Sequence, residues 1–183
     1  MKAADSYVQA VQALPLRLRQ EALSLTEGER ARTEELRLRA GRPMTAVLDG
    51  RERDLGGPPV EGAELDRLVE IASGASLHTV LDQICRGYLT FAGGHRIGLC
   101  GTAVLREGAV CGLRSISSAD VRIARQVRGA AVSVVDRLCP AGRLADTLIL
   151  APPGLGKTTL LRDLIRSVSE GEGCAPLRVS LAD

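Results

Sequence analysis

Aromatic side chains are almost missing. There is no tryptophan, and Tyr7, Tyr88 and Phe91 are the whole aromatic set. That argues against binding by base stacking and leaves Leu, Val, Ile and Ala to fill the core. Lysine is nearly missing as well: of 24 basic residues, only Lys2 and Lys157 are lysine and the rest are arginine. Neither sign of charge is in large excess, and a net charge of +2 is too small to argue for a nucleic-acid partner. The five cysteines, Cys85, Cys100, Cys111, Cys139 and Cys174, include no Cys-x-x-Cys pair. Neither a disulfide framework nor a zinc site is expected, and each reads as a small core hydrophobe in a reducing cytosol. The sequence has no apolar signal core at its start, and no apolar run approaches the ~20 residues that span a bilayer. Membrane contact is therefore expected to be peripheral or through a partner.

What is present centres on Ala151-Pro152-Pro153-Gly154-Leu155-Gly156-Lys157-Thr158-Thr159. The pattern resembles a phosphate-binding loop, with Ala151 in place of the usual first glycine. Before it lies the strand-like run Asp146-Thr147-Leu148-Ile149-Leu150. After it, Leu160, Leu161, Leu164, Ile165 and Val168 recur at helical spacing. Gly154 and Gly156 allow backbone angles that other residues avoid and let the chain approach a phosphate. The loop N–H groups and the helix start would then attract an anion. Lys157 would reach the β- and γ-phosphates, Thr158 would ligate Mg²⁺, and Thr159 would bond near the α-phosphate. A compact ammonium suits such a cradle better than a planar guanidinium. It is the more notable in a chain that uses arginine nearly everywhere else.

Residues 1–25 read as helix in two pieces, one striped by Tyr7, Val8, Val11 and Leu14. The other starts at Pro15 and carries Leu16, Leu23 and Leu25. Thr26 and Glu29 form a capping-box pattern. At Glu35-Leu36-Arg37-Leu38-Arg39-Ala40 the period changes to two, as in a half-buried strand. Gly41-Arg42-Pro43 turns the chain, 44–48 returns as a strand, and Asp49-Gly50 signals a hairpin. Two helices follow, one on Leu65, Leu68, Val69 and Ala72. The other is capped by Ser76, with Leu77, Val80, Leu81 and Ile84 inward. His78 in its first turn reads as a packed or capping histidine. Residues 88–125 read as two or three stacked hairpins making a small antiparallel sheet with helices on it. His95 beside Arg96 on a turn is a possible site, but no second ligand stands at metal spacing. A connecting helix at 129–139 and Pro140-Ala141-Gly142 lead to the phosphate loop. The expected domains are thus 1–140 and 141–183. Beyond the loop helix, 177–181 reads as a second buried strand ending near Asp183.

The fold class expected is α/β. An N-terminal α+β domain with an antiparallel sheet precedes the first β-α-β unit of a phosphate-loop, RecA-like ATPase domain. Two strands and one helix cannot bury both faces of a parallel sheet, so the sequence reads as a piece of a longer protein. Asp183 stands where an acidic catalytic residue could begin.

Several motifs in order carry a resemblance to a known family. They are Glu34-Glu35-Leu36-Arg37-Leu38-Arg39-Ala40-Gly41-Arg42-Pro43, Ser76-Leu77-His78-Thr79, Gly87-Tyr88-Leu89-Thr90 and Gly93-Gly94-His95-Arg96-Ile97-Gly98-Leu99-Cys100-Gly101. With them come Ile116-Ser117-Ser118, Val121-Arg122-Ile123-Ala124-Arg125 and the phosphate loop. Together they resemble the stage III sporulation protein AA family over most of 26–183. The resemblance implies a RecA-like ATPase related to type II, type IV and pilus motors, using ATP and Mg²⁺. It implies a hexameric ring in the mother-cell cytoplasm, working with membrane proteins of a channel to the forespore. It also implies that an N-terminal domain lends an arginine to the nucleotide, for which Arg114, Arg122 and Arg125 are candidates. The family continues past Asp183 with Asp-Glu-Arg-type residues, so this chain alone is expected to bind ATP without turning it over. Two other readings stand beside this one: an AAA+ type nucleic-acid motor fragment and a non-hydrolysing nucleotide-binding assembly module. The first is disfavoured because such motors reach the loop through a short helical lead, not through a β-rich domain.

Overall fold

The computed structural model describes residues 3–74, 77–125, 127–140, 143–152 and 155–181. The chain divides into two compact units, the first ending at Arg125 and the second beginning at Gln126. The connecting helix of the sequence reading therefore belongs with the second unit, and the division falls before it rather than after it.

The first unit is built on one six-stranded antiparallel sheet. Its strands are β1 (Thr33–Arg39), β2 (Thr45–Leu48), β3 (Arg51–Asp54), β4 (Tyr88–Phe91), β5 (His95–Arg106) and β6 (Ala109–Arg122), in the spatial order β3-β2-β1-β6-β5-β4. The sequence reading kept the residues around 36–48 apart from a small sheet at 88–125. The structure joins them, because β1 pairs with β6 through Glu35 opposite Arg122 and Leu38 opposite Ala119. No local pattern encodes that long-range pairing. Two tight turns are formed by Asp49-Gly50 and Glu107-Gly108, all four residues at positive φ, the geometry that matches strand twist in a two-residue hairpin. β6 runs unbroken through Ser117-Ser118.

Alternation decides which face is buried. Leu36 and Leu38 of β1, Ala46 of β2, Leu89 of β4, Ile97 and Leu99 of β5, and Ala119 and Val121 of β6 are all buried in one core. Helices α1 (Ala3–Ala10), α2 (Leu16–Ala22), α4 (Gly62–Ala72) and α5 (Leu77–Cys85) contribute Tyr7, Leu18, Leu65, Leu68 and Ile84 to it. Fully burying one such leucine is worth about 1.5–3 kcal/mol. The Tyr7 hydroxyl donates to the Ala22 carbonyl at 2.8 Å, so the one polar atom of that side chain is satisfied; burial pushes its pKa well above the usual range. Arg17 of α2 reaches Glu64 of α4, its Nε donating to Oε1 at 2.7 Å, and ties the two helices together. Helix α3 (Glu27–Arg32) begins with the expected capping box: Thr26 accepts from the Glu29 N–H, and Glu29 accepts from the Thr26 N–H.

Some expectations fail. Val8 and Leu16 are exposed rather than inward, because the buried stripes run through Tyr7, Ala10 and Val11, and through Leu18 and Ala22. Leu81 is also exposed. The proposed cap Ser76 lies outside the described residues, as does the side chain of His78. His95 is no surface site. It is fully buried, its Nδ1 accepts the Ala124 N–H at 3.0 Å, and burial lowers its pKa. Of the cysteines only Cys139 is buried, and Cys100 is exposed, because it sits on the uncovered face of the sheet.

In the second unit, α6 (Val132–Leu138) packs on α7 (Lys157–Glu170) through Ala131, Val135, Cys139, Leu164 and Val168. Neither 146–150 nor 177–181 forms a strand among the described residues. A strand exists only through a ladder, and neither segment meets one. A backbone bond from the Ala145 N–H to the Leu138 carbonyl at 2.8 Å holds the chain just before the first, and one from the Leu177 N–H to the Val168 carbonyl at 3.0 Å holds the second. Leu148 and Leu150 are consequently 79% and 81% exposed. No helix among the described residues is long and apolar enough to cross a membrane.

Candidate nucleotide site

The site is built on the start of α7. Gly156, just before it, has φ 78° and ψ 18°, and no side chain caps the helix. An L side chain is strained in that left-handed conformation, while a Cβ placed there would meet open space, so the glycine is required by backbone angle and not by crowding. The first N–H groups of a helix have no intrahelical acceptor and carry its positive dipole end. Here they belong to Lys157, Thr158 and Thr159.

Lys157 is half-buried and reaches back across the loop. Its Nζ donates to the carbonyls of Ala151 at 2.7 Å and Pro152 at 2.9 Å. Thr158 is exposed and Thr159 half-buried. Leu155 is exposed, its N–H 3.4 Å from the Pro152 carbonyl. The described part of the loop thus sets an ammonium, an exposed hydroxyl and uncapped helix N–H groups at one helix start. That set fits an anionic ligand such as a phosphate chain, and the hydroxyl fits a hard cation such as Mg²⁺. Pro153 and Gly154 lie outside the described residues, as does Asp183.

What holds α7 in place was not read from the sequence. Asp163 is buried and accepts the Ala131 N–H at 2.9 Å, fastening the start of α6 to the middle of α7. Burial would raise its pKa, but the bonds from Ala131 and Arg166 outweigh burial and lower it. Arg166 is nearly buried and pairs with Asp163 at 2.8 Å, Glu170 at 2.7 Å and Glu172 at 2.7 Å. Those carboxylates, Glu172 first, raise the Arg166 pKa. The i,i+3 and i,i+4 spacing of Asp163, Arg166 and Glu170 was the available signal.

The candidate arginines lie in the first unit. Arg122 is 71% exposed, with only a 3.4 Å approach to Glu35. Arg114 is exposed on β6. Arg125 is half-buried, and its Nη2 donates to the carbonyls of Thr33 and Arg30. It serves the first unit's own packing.

The fold is one shared with a pilus motor. The pilus retraction motor PilT, solved with bound ADP, matches 84% of this chain and 43% of its own at a TM-score of 0.53 and 19% identity. The ATPase DotB of Yersinia pseudotuberculosis matches 86% of this chain and 44% of its own, with a TM-score of 0.48 and 17% identity. The chain belongs to the family described as sporulation stage III, protein AA, whose family model matches residues 5–180. The stage III sporulation protein AA of Bacillus subtilis (strain 168) is 36% identical over 172 residues, covering 93% of this chain and 55% of that protein. The chain thus spans about half the length of the curated relative.

Proposed function

We propose that this chain carries the nucleotide-binding loop of an ATPase that energises assembly or transport at a membrane channel during endospore formation. The observation that carries the reading is the start of α7: a left-handed Gly156, uncapped N–H groups, and Lys157 spanning the loop to the Ala151 and Pro152 carbonyls. Those carbonyls are neutral acceptors. A phosphate oxygen carries the opposite charge, so the ammonium gains an ion-paired hydrogen bond by exchanging one for the other. Ala151 to Thr159 form the cradle, Lys157 neutralises the terminal phosphates, and Thr158 offers its hydroxyl to Mg²⁺. The metal ion, when bound, would offset charge developing on the transferred phosphoryl group.

Family membership and the fold shared with a pilus motor support the wider reading. It includes a cytoplasmic ring, hexameric in the longer protein, working with channel membrane proteins. Exposed Arg122 and Arg114 are the better candidates to reach a nucleotide, since Arg125 would have to leave two backbone carbonyls first. Asp183 remains a candidate acidic residue of the motor.

The test is titration with a fluorescent ATP analogue in the presence of Mg²⁺. Lys157→Ala should weaken binding at least about tenfold, equal to about 1.4 kcal/mol, with Lys157→Arg only partly restoring it. Equal affinity for all three proteins would sink the reading.

A further inference from the structure

β5 and β6 run on past the strands beside them. β4 pairs with β5 only at 95–98, and β1 pairs with β6 only at 118–122. Beyond those registers, 102–114 is a two-stranded ribbon with no third strand. A register shift between Cys100 and Thr102, with Ser115 at φ 49°, marks where the ribbon leaves the sheet. A ribbon of two strands is marginal in water unless something covers it. Counting by two from buried Leu99, the core face continues along β5 through Gly101, Ala103 and Leu105. Ala103 stands opposite Leu113, and Leu105 opposite Val110. Leu105 is 66% exposed, and Val110 is exposed beside it. At the foot of the ribbon, Leu113, Val69, Leu81 and Ile84 line a cleft of about 280 Å³, with Asp66, Glu70 and Arg114 also in its lining.

Tip and cleft also carry charges that nothing answers. Arg106 and Glu107 sit at the tip, and Asp66 and Arg114 at the cleft. Among the described residues none of these four has an ion-pair partner, whereas Glu70 is already paired with Arg67 at 2.6 Å. We propose that a second copy of this chain packs on the ribbon, face to face and antiparallel, so that each tip enters the other's cleft. Leu105 and Val110 of each copy cover Leu81 and Leu113 of the other. Arg106 meets Asp66 and Glu107 meets Arg114, and symmetry makes each contact twice. The occupant is a second copy because tip and cleft lie on one face of one ribbon. Turned end for end, that face is its own complement in apolar surface and in charge. The contact closes at two copies, since it uses the tip and the cleft of both. It lies wholly in the first unit, and by engaging Arg114 it leaves Arg122 as the exposed arginine free for a nucleotide.

The test is sedimentation velocity of the chain without nucleotide, from about 1 μM to about 100 μM. A monomer–dimer equilibrium is expected. Leu105→Asp should weaken it at least about tenfold, because it presses an unpaired charge into each apolar cleft. Arg106→Glu and Asp66→Arg should each weaken it at least about tenfold, since each sets like charges together at both contacts. An equimolar mixture of those two charge variants should recover the dimer, because every facing pair is again opposite in sign. A variant that had merely misfolded would not be rescued by mixing. A chain that stays monomeric throughout would overturn the proposal, as would a dimer that all three variants leave intact. A mixture that stays monomeric, or an assembly larger than two that Leu105→Asp dissolves, would overturn it too. Lys157→Ala should leave the dimer unchanged, so failure of the nucleotide reading and failure of this contact are separate results.

Discussion

The two units differ in how much of their own surface they can bury. In the first, every strand has a ladder partner, and two dozen residues from sheet and helices share one core. In the second, among the described residues, five buried residues join two helices. Its strand-type segments run without ladders, and Leu148, Leu150 and Leu181 face outward. The apolar sequence is of similar quality in both. What separates them is the presence of neighbours: a strand such as Leu36 to Leu38 is stabilised by β2 and β6 on its two sides, while 148–150 has no such company among the described residues. An apolar run specifies a strand only where another strand is available to pair with it.

The comparison can be broken first at the centre of the sheet. Leu38 is fully buried between helices and sheet, so Leu38→Ala should cost about 4 kcal/mol by lost transfer energy and a residual cavity. Urea unfolding followed by hydrogen exchange in 33–39 would measure it. A loss under about 1 kcal/mol would mean that the first unit's core is not close-packed. In the second unit the equivalent lever is polar. Asp163→Ala removes the acceptor for the Ala131 N–H and leaves Arg166 without its most buried partner. It should cost about 3 kcal/mol, read as faster exchange in α6 and α7 with the sheet amides unchanged. If the sheet amides quickened equally, the two units would not be independent.

The sequence told more about the first unit than about the second, for physical reasons that particular residues show. The alternation at Leu36 and Leu38, the Thr26–Glu29 cap and the Asp49-Gly50 turn are local signals, and each appears in the structure as expected, whereas Ala40, read as part of the same buried face, is exposed just past the end of β1. The pairing of β1 with β6 is not local, and β3, written Arg51-Glu52-Arg53-Asp54, has no apolar residue to mark it. The phosphate loop could be read because its chemistry is contiguous. The spacing of Asp163 and Arg166 was visible, but the long-range bond from the Ala131 N–H to Asp163 was not, since a buried aspartate bonded to a distant N–H looks like any charged helix face. His95 misled because a histidine beside glycines suggests a turn site, and only the packed sheet shows its Nδ1 turned to Ala124.

A gentler test uses acid. The Glu29 carboxylate accepts from the Thr26 N–H and hydroxyl and pairs with Arg53, which together hold its pKa down at about 2, from 4.5. A carboxylate depressed on folding adds stability above its unfolded pKa and loses it as pH falls towards the folded value. The first unit should therefore weaken between about pH 4.5 and pH 2, and Glu29→Gln should flatten part of that slope. Thermal melts across this range would show it, and an unchanged slope in the variant would leave the cap without an electrostatic role.

The strand order has a consequence for how this protein is born. Leu38 meets Ala119 across the middle of the sheet, so a ribosome that has released β1 must continue through α4, α5, β4, β5 and most of β6 before β1 has both neighbours. At ordinary elongation speed that interval is on the order of ten seconds. Through it, Leu36 and Leu38 have only the short β2 beside them and an apolar face waiting for cover. The arginines and glutamates alternating with them keep the opposite face charged. A nascent strand so patterned is a poor template for pairing with another chain.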